Sequence, residues 1–542
     1  MKNWYWLLII LSVFLAAFLR LYRLPYNPVS LYWEEAALGY DAYSILNTGR
    51  DFHGNSWPTV AFESFGDWKP SGYFYATALS EFFLSLNELA VRLPSALAGI
   101  GIVLIGILMA KEFFDKDKKY SSWIVIATGV VIAISPWALQ FSRAGFEANL
   151  AAFFSCLGIL FLFKGQKKGF YFLPAVISLV ISLYSYHSVR LFIPLLCLAY
   201  LIVFWKRIIK QWSWVLISGI VGAVLIMPIV LKIGDPELTH RFQETSAFTE
   251  VMPIIEINQL REAEGNTLLS RIIHHRYWHN GGIFLKNFTS HFNPNYLFIH
   301  GDGNLRHSTG QMGIFYPIDS IFLLLGLAFI VRKPTKKTIF LILWWLLALV
   351  PASLTKAIPH SLRTLLALPA PQMIVAYGLI KAFPSFNKSL SSWLRNGLMI
   401  VVLGSLVLFS WRYLYDYFGH YSYRSSCDWQ DGYKEMVKYV FENRNKYDKI
   451  FITRQLGRPS IYYFFYNQID PQIVQADEEK ADKDQGERLS FENIVFGSPG
   501  LIKKKNNQRF LLVSGEKEEF EGQLLKEIQN QKGEIVFKIK EL

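Results

Sequence analysis

Up to about residue 413 the chain alternates long uncharged runs with short charged ones. Leu93 to Ala110 carries no charge, nor does Ser121 to Ser142, nor Gln211 to Leu231. Each is of a length that crosses roughly 30 Å of hydrocarbon as a helix. Comparable windows lie at 4–24, 149–163, 170–186, 191–205, 314–331, 338–354, 364–380 and 396–413. Together they predict about eleven crossings.

Other patterns predict smaller elements. Ala36–Leu46 and Ser71–Ser85 have apolar residues at helical spacing but are too short or interrupted to span, and read as helices lying in the membrane interface. Beyond residue 414 the composition changes. There Lys449–Thr453 and Phe510–Val513 read as buried strands, and Tyr433–Asn443 and Lys517–Asn530 as amphipathic helices. The expected architecture is a polytopic α-helical membrane domain, 1–413, with external loops at 25–92 and 234–313. A soluble extracytoplasmic α/β domain follows at 414–542.

Charge then sets an orientation. Of 542 residues 52% are hydrophobic and 18% charged, with a net charge of +13. The bases collect in alternate loops: Lys111 with Lys116, Lys118 and Lys119; Lys164, Lys167 and Lys168; Lys206, Arg207 and Lys210; Arg332, Lys333, Lys336 and Lys337; Lys381, Lys388 and Arg395. Basic residues in short loops are retained in the cytoplasm, so these loops and Lys2 lie inside and everything after about residue 414 lies outside, in a multi-pass protein of the cell membrane. The net charge is then topology rather than a nucleic-acid footprint. Trp4–Leu19 lacks a small-x-small cleavage site before Arg20 and reads as a retained first helix. Cys156 and Cys197 fall in spans and Cys427 stands alone outside, which leaves no disulfide framework.

The outer loop at 25–92 holds Glu34, Glu35, Asp41, Asp51, Glu63, Asp67, Glu81 and Glu88 against only Arg50, Lys69 and Arg92. Four of its neighbourhoods fall in an order that carries information: Trp33-Glu34-Glu35, Gly66-Asp67-Trp68-Lys69-Pro70-Ser71, Arg92-Leu93-Pro94-Ser95-Ala96, and Arg143 with Glu147. In that order and on that membrane side, over about residues 1–410, the chain resembles bacterial GT-C glycosyltransferases of family 39, the protein O-mannosyltransferase and aminoarabinose-transferase type. It departs from their pattern in having Glu34-Glu35 where Asp-Glu is usual, and Lys69-Pro70-Ser71 where Lys-Pro-Pro is usual.

The resemblance implies an enzyme that moves a sugar from a polyprenyl-phosphate donor to an extracytoplasmic protein, lipid or glycan acceptor. Its chemistry is intelligible from the residues. An inverting displacement needs a carboxylate to take the acceptor's proton, and Glu34 is the candidate base. It also needs positive charge on the departing phosphate, for which Lys69, Arg143 and Arg363 are candidates. Glu35 and Glu147 orient the acceptor or these cations, or share a divalent metal, with Glu34, Glu147 and His291 as candidate ligands. His360-Ser361-Leu362-Arg363 resembles a phosphate-facing His and Arg in such transferases. The outer turn Tyr184–Arg190 offers Arg190 to substrate, and the loop set His291, Asp302, Arg306 and His307 can hold substrate or metal.

Plainer accounts stay open. Adjacent glutamates favour a helix's first turn, Lys69 can snorkel, and Arg143 and Glu147 are spaced as an i, i+4 pair. A transporter or flippase of lipid-linked sugar would also have many helices and buried charge, with Glu147 or Arg190 in its pathway. Trp429-Gln430-Asp431-Gly432-Tyr433 loosely resembles the Trp-Trp-Asp-Tyr-Gly signature of oligosaccharyltransferases.

Overall fold

A computed structural model describes residues 3–115, 120–235, 244–249, 252–386, 391–478, 481–497 and 508–542. Lys2, Lys116, Lys118, Lys119 and Lys388, and part of the second outer loop, lie outside the described residues. In chain order α1 is Asn3–Leu21 and α2 Trp33–Thr48. The hairpin β1 (Ala61–Ser64) and β2 (Asp67–Pro70) precedes α3, Gly72–Leu84. The long helices follow as α4 (Glu88–Phe113), α5 (Ser121–Ile134), α6 (Pro136–Ser142), α7 (Glu147–Gly165), α8 (Phe172–Leu183), α9 (Val189–Ile208) and α10 (Trp212–Leu231). The second outer loop holds α11 (Met252–Ala263), α12 (Leu268–Ile273) and α13 (Arg276–Ser290). Apolar helices resume as α14 (Asp319–Arg332), α15 (Lys336–Ser353), α16 (Ala370–Phe386) and α17 (Ser392–Gly419).

Each predicted apolar window therefore holds helix. Among the described residues six helices are long and apolar enough to cross a membrane, or seven if α5 and α6, bent by 53°, form one span. One of the six is the 43-residue stretch Val189–Leu231, which is a hairpin. Gly169 lies against Trp214 ahead of α8, and beyond its far end Tyr184 donates to the Leu225 carbonyl at 2.8 Å. Thus α8 and α10 run parallel, and α9 must return between those levels. The 364–380 window is α-helical only from Ala370, with a 3-10 turn at Leu365–Ala367 ahead of it.

The chain divides into two compact units. One comprises Met1–Ala16, Ile100–Leu139 and Ala151–Ser410; the other comprises Ala17–Gly99, Gln140–Leu150 and Trp411–Leu542. The first is helical. In it α14 and α16 pack so closely that a Cβ on Gly378 would stand 2.0 Å from the Phe322 carbonyl oxygen.

The second unit is built on a mixed six-stranded sheet ordered β6-β7-β3-β8-β10-β9. Its strands are β3 (Lys449–Ile452), β6 (Ser490–Phe491), β7 (Ile494–Phe496), β8 (Phe510–Gly515), β9 (Gln523–Gln529) and β10 (Ile535–Glu541). The central strand β3 runs parallel to β7 and β8, and β10 is antiparallel to β8 and β9. The two predicted strands and the helix Tyr433–Asn443 (α18) are present. The helix expected over Lys517–Asn530 is instead strand β9: pairing with β10 satisfies its backbone along an edge of the sheet, and this outweighs the helical spacing of its apolar residues.

The first outer loop folds onto this sheet domain. Leu31, Ala36, Tyr40, Phe52 and Val91 share one core with Tyr433, Val437, Ile450, Tyr462, Phe464 and Phe537. Consequently α2, expected to lie in the membrane interface, is buried continuously from Glu35 to Ala42. The Trp429–Tyr433 segment serves the same packing. Trp429 is buried and donates to the Tyr421 hydroxyl at 2.9 Å, Gly432 takes φ 101°, and Tyr433 stacks on Tyr462.

Candidate active site

Within the second unit the chemistry begins at the first turn of α2. Glu35 is fully buried. Its two carboxylate oxygens accept from Arg92 Nε at 3.0 Å and Nη2 at 3.1 Å, and Oε1 also accepts the Gly145 N–H at 2.7 Å. Arg92 in turn donates to the Leu24 and Pro28 carbonyls. A fully buried arginine at the foot of the uncharged run Leu93 to Ala110 requires such a partner. That was the signal by which sequence could have found Arg92, which sequence reasoning treated only as part of a motif.

Glu34 points elsewhere. Its side chain is 39% exposed, and its Oε1 stands 3.1 Å from the Nζ of Lys69, which is 4% exposed. The β1–β2 hairpin holds that lysine, with Lys69 opposite Phe62 in register. The turn of the hairpin is pressed against a second hairpin of β4 (Lys483–Asp484) and β5 (Glu487–Arg488): a Cβ on Gly486 would stand 2.0 Å from the Gly66 nitrogen. An accessible carboxylate beside a buried ammonium is an arrangement that can accept a proton from an incoming hydroxyl.

Arg143 and Glu147 do not make the i, i+4 pair that their spacing allows. The Arg143 guanidinium is buried and donates to the carbonyls of Leu19, Arg20, Tyr22 and Asn27, and it lies over the Phe418 ring at 4.9 Å. Glu147 stands in the first turn of α7.

Within the first unit a second group of residues surrounds the connection between α15 and α16. A cavity of about 470 Å³ is lined by Tyr186, His187, Ser188, Arg190, Thr245 and Arg363, among others. Arg190 Nε and Nη2 are buried and make no hydrogen bond among the described residues. Nearby in the chain, Asp302 Oδ2 accepts from the Ser361 N–H at 2.8 Å and the Ser361 hydroxyl at 2.9 Å. The same oxygen stands 3.3 Å from His307 Nδ1 and 3.9 Å from His360 Nδ1. Burial alone would raise the Asp302 carboxyl, but the hydrogen bond and charge of His307, the charge of His360 and the Asn304 N–H outweigh it and hold it well below the usual carboxylate range. Burial, with His307 and Arg363 alongside, keeps His360 well below the ordinary imidazole range.

Asp302, His307 and His360 present ligand atoms all within 4.8 Å of one another. His291 stands beside this group. Its Nδ1 contacts the Asn287 carbonyl at 2.8 Å and its Nε2 accepts the His360 N–H at 3.4 Å, so both ring nitrogens are engaged; burial lowers its pKa. Glu34 and Glu147 belong to the other unit.

No family model matches the chain. A putative mannosyltransferase of Bacillus subtilis, YkcB, is 26% identical over 165 residues, which is 30% of this chain and 21% of that protein. The chain thus matches about a fifth of the length of that curated relative. Among solved structures it is similar to ArnT from Cupriavidus metallidurans bound to undecaprenyl phosphate, with a TM-score of 0.56 at 11% identity, covering 100% of this chain and 98% of ArnT. It is also similar to the oligosaccharyltransferase of Archaeoglobus fulgidus tethered with an acceptor peptide, with a TM-score of 0.52 at 12% identity over 91% of this chain and 61% of that one. The chain has the GT-C fold, with its apolar helices and C-terminal sheet domain.

Proposed function

We propose that this protein is a membrane glycosyltransferase that moves a hexosyl or pentosyl group from a polyprenyl-phosphate donor to a hydroxyl of an extracytoplasmic protein, lipid or glycan. The observation that carries this reading is the cavity beside Arg190. A buried guanidinium with two nitrogens lacking hydrogen bonds among the described residues is costly unless an anion meets it. Arg363 lines the same cavity, and planar guanidinium groups match a phosphate's oxygens. In a chain of membrane-length apolar helices, the fitting anion is the phosphate of a lipid carrier. The likeness to ArnT and to the oligosaccharyltransferase supports the same substrate class, as the short match to a mannosyltransferase supports the sugar.

The step is an inverting displacement. The acceptor oxygen bonds to the anomeric carbon, the bond from that carbon to the phosphate oxygen breaks, and the polyprenyl phosphate leaves. Glu34 takes the acceptor's proton, with Lys69 beside its carboxylate orienting it. Glu35, bound on both oxygens, positions the turn that carries Glu34. Arg190 and Arg363 hold the phosphate, with His360 beside Arg363. In this reading the N-terminus and basic loops are cytoplasmic, and the outer loops and residues after about 414 face outward. Residues 414–542 form an extracytoplasmic domain, and residues 1–413, with the outer loops, a membrane domain of about eleven crossings.

The test is purified full-length protein in detergent, given a polyprenyl-phosphate sugar and a crude acceptor fraction, with release of free polyprenyl phosphate measured. Glu34→Gln is expected to abolish release, and Glu34→Asp to retain part of it. Arg190→Gln should slow it by about 1.5–3 kcal/mol of lost charge-assisted hydrogen bonding to the phosphate, and Lys69→Ala should slow it by removing the charge that orients Glu34. A wild-type protein that releases none from any donor, yet moves lipid-linked sugar across reconstituted vesicles, would be a flippase.

A further inference from the structure

We propose that Asp302, His307 and His360 bind a divalent metal ion of the zinc class, which ties the second outer loop to the connection between α15 and α16. The inference does not rest on the transfer reaction. Tetrahedral zinc holds nitrogen and oxygen ligands at about 2.0–2.2 Å, which sets them roughly 3.3 Å apart. Asp302 Oδ2 and His307 Nδ1 are 3.3 Å apart, and His360 Nδ1 is 3.9 Å from the same oxygen. The two imidazole rings lie 4.9 Å apart and tilted by 35°, and the Nδ1 of each lies within 4 Å of the same carboxylate oxygen. His360 Nδ1 is buried and makes no hydrogen bond among the described residues.

The surroundings are those of a metal site. Ligating carboxylates are held by outer hydrogen bonds, and here the Ser361 N–H and hydroxyl grip Oδ2 while the Asn304 N–H grips Oδ1 at 3.0 Å. His291 accepts the His360 N–H and so steadies the backbone of that ligand. Two histidines and one carboxylate favour zinc, cobalt or manganese over calcium or magnesium. Three protein ligands leave one position open to an oxygen ligand. Because only one carboxylate is present to balance the ion's charge, an anionic oxygen ligand is the better complement there.

The experiment uses full-length protein in detergent, stripped with EDTA and dialysed against Zn²⁺ or Co²⁺. Wild type is expected to retain one ion per chain by mass spectrometry, and the Co²⁺ form to show the visible bands of a low-symmetry site. His307→Gln and His360→Gln should each weaken binding by at least about tenfold, and Ser361→Ala by roughly tenfold through the outer shell alone. A readout free of variants is carbethoxylation of wild type by diethyl pyrocarbonate, in which Zn²⁺ should protect His307 and His360. Failure of wild type to retain either ion, variants that bind as tightly as wild type, or equal modification with and without Zn²⁺ would each overturn the site.

Discussion

Glu34 and Glu35 are adjacent in sequence and opposite in circumstance. Removing the charge of Glu35 leaves Arg92 buried without its counter-charge, so Glu35→Gln is predicted to destabilise the protein by about 3–5 kcal/mol. Thermal unfolding in detergent checks this. Glu34→Gln, on a partly exposed side chain, should leave the same melting temperature nearly unchanged while transfer is lost. Equal destabilisation by both would reduce Glu34 to a structural residue. Asp41 supplies a pH test. Burial, then the charge of Asp51, raises its carboxyl well above the usual range against the Phe52 N–H and Lys69. A raised acid pKa means that the folded state keeps a proton the unfolded chain gives up, so this group's contribution falls as pH rises from about 3.9 toward the raised value. Asp41 Oδ2 makes no hydrogen bond among the described residues, whereas Oδ1 accepts the Phe52 N–H at 3.2 Å. Asp41→Asn keeps that acceptor, and should stabilise the protein at pH 7 by on the order of 1 kcal/mol and flatten this part of the pH profile. A lower melting temperature at pH 7 would count against it.

At the scale of elements, the β1–β2 hairpin carries Lys69 and depends on a neighbour 420 positions along the chain (486 − 66). Gly486 takes φ 71°, and any Cβ there would collide with the Gly66 backbone. Gly486→Ala is therefore expected to cost about 1–3 kcal/mol from strain and displacement together. Because the hairpin moves, it should also lower transfer below what the stability loss accounts for, read as rate per folded molecule. An unchanged rate would separate this contact from Lys69. Element type was otherwise well encoded: the period of Tyr433–Asn443 and the β-branched and aromatic run at β3 led to the observed helix and strand. The miss at β9 came from pairing with β10, which the helical spacing of its apolar residues does not record.

For the whole molecule the testable quantity is orientation. With Cys427, the exposed native thiol, replaced by serine, a membrane-impermeant thiol reagent applied outside should label Asn55→Cys, Asn304→Cys and Asn467→Cys and spare Lys336→Cys. Labelling of Lys336→Cys in intact cells would reverse the proposed topology and put the acidic loop in the cytoplasm.

The apolar windows, their helical fold and the composition change after residue 413 were legible in sequence alone, because spanning helices satisfy their own backbone and need only local apolar length. The acidic character of the first loop was legible for the same reason, and Glu34, Lys69, Arg190 and Arg363 stood out as candidates, being charges beside membrane-length runs. Which of them are committed to packing was not. The pairing of Glu35 with Arg92, the gathering of four carbonyls around Arg143, the burial of α2 against the sheet domain and the meeting of Asp302 and His307 with His360 all join residues far apart in the chain. Only tertiary structure decides such contacts, since a buried charge is stabilised by whichever partner the fold brings within a few ångströms, and no local pattern records that partner.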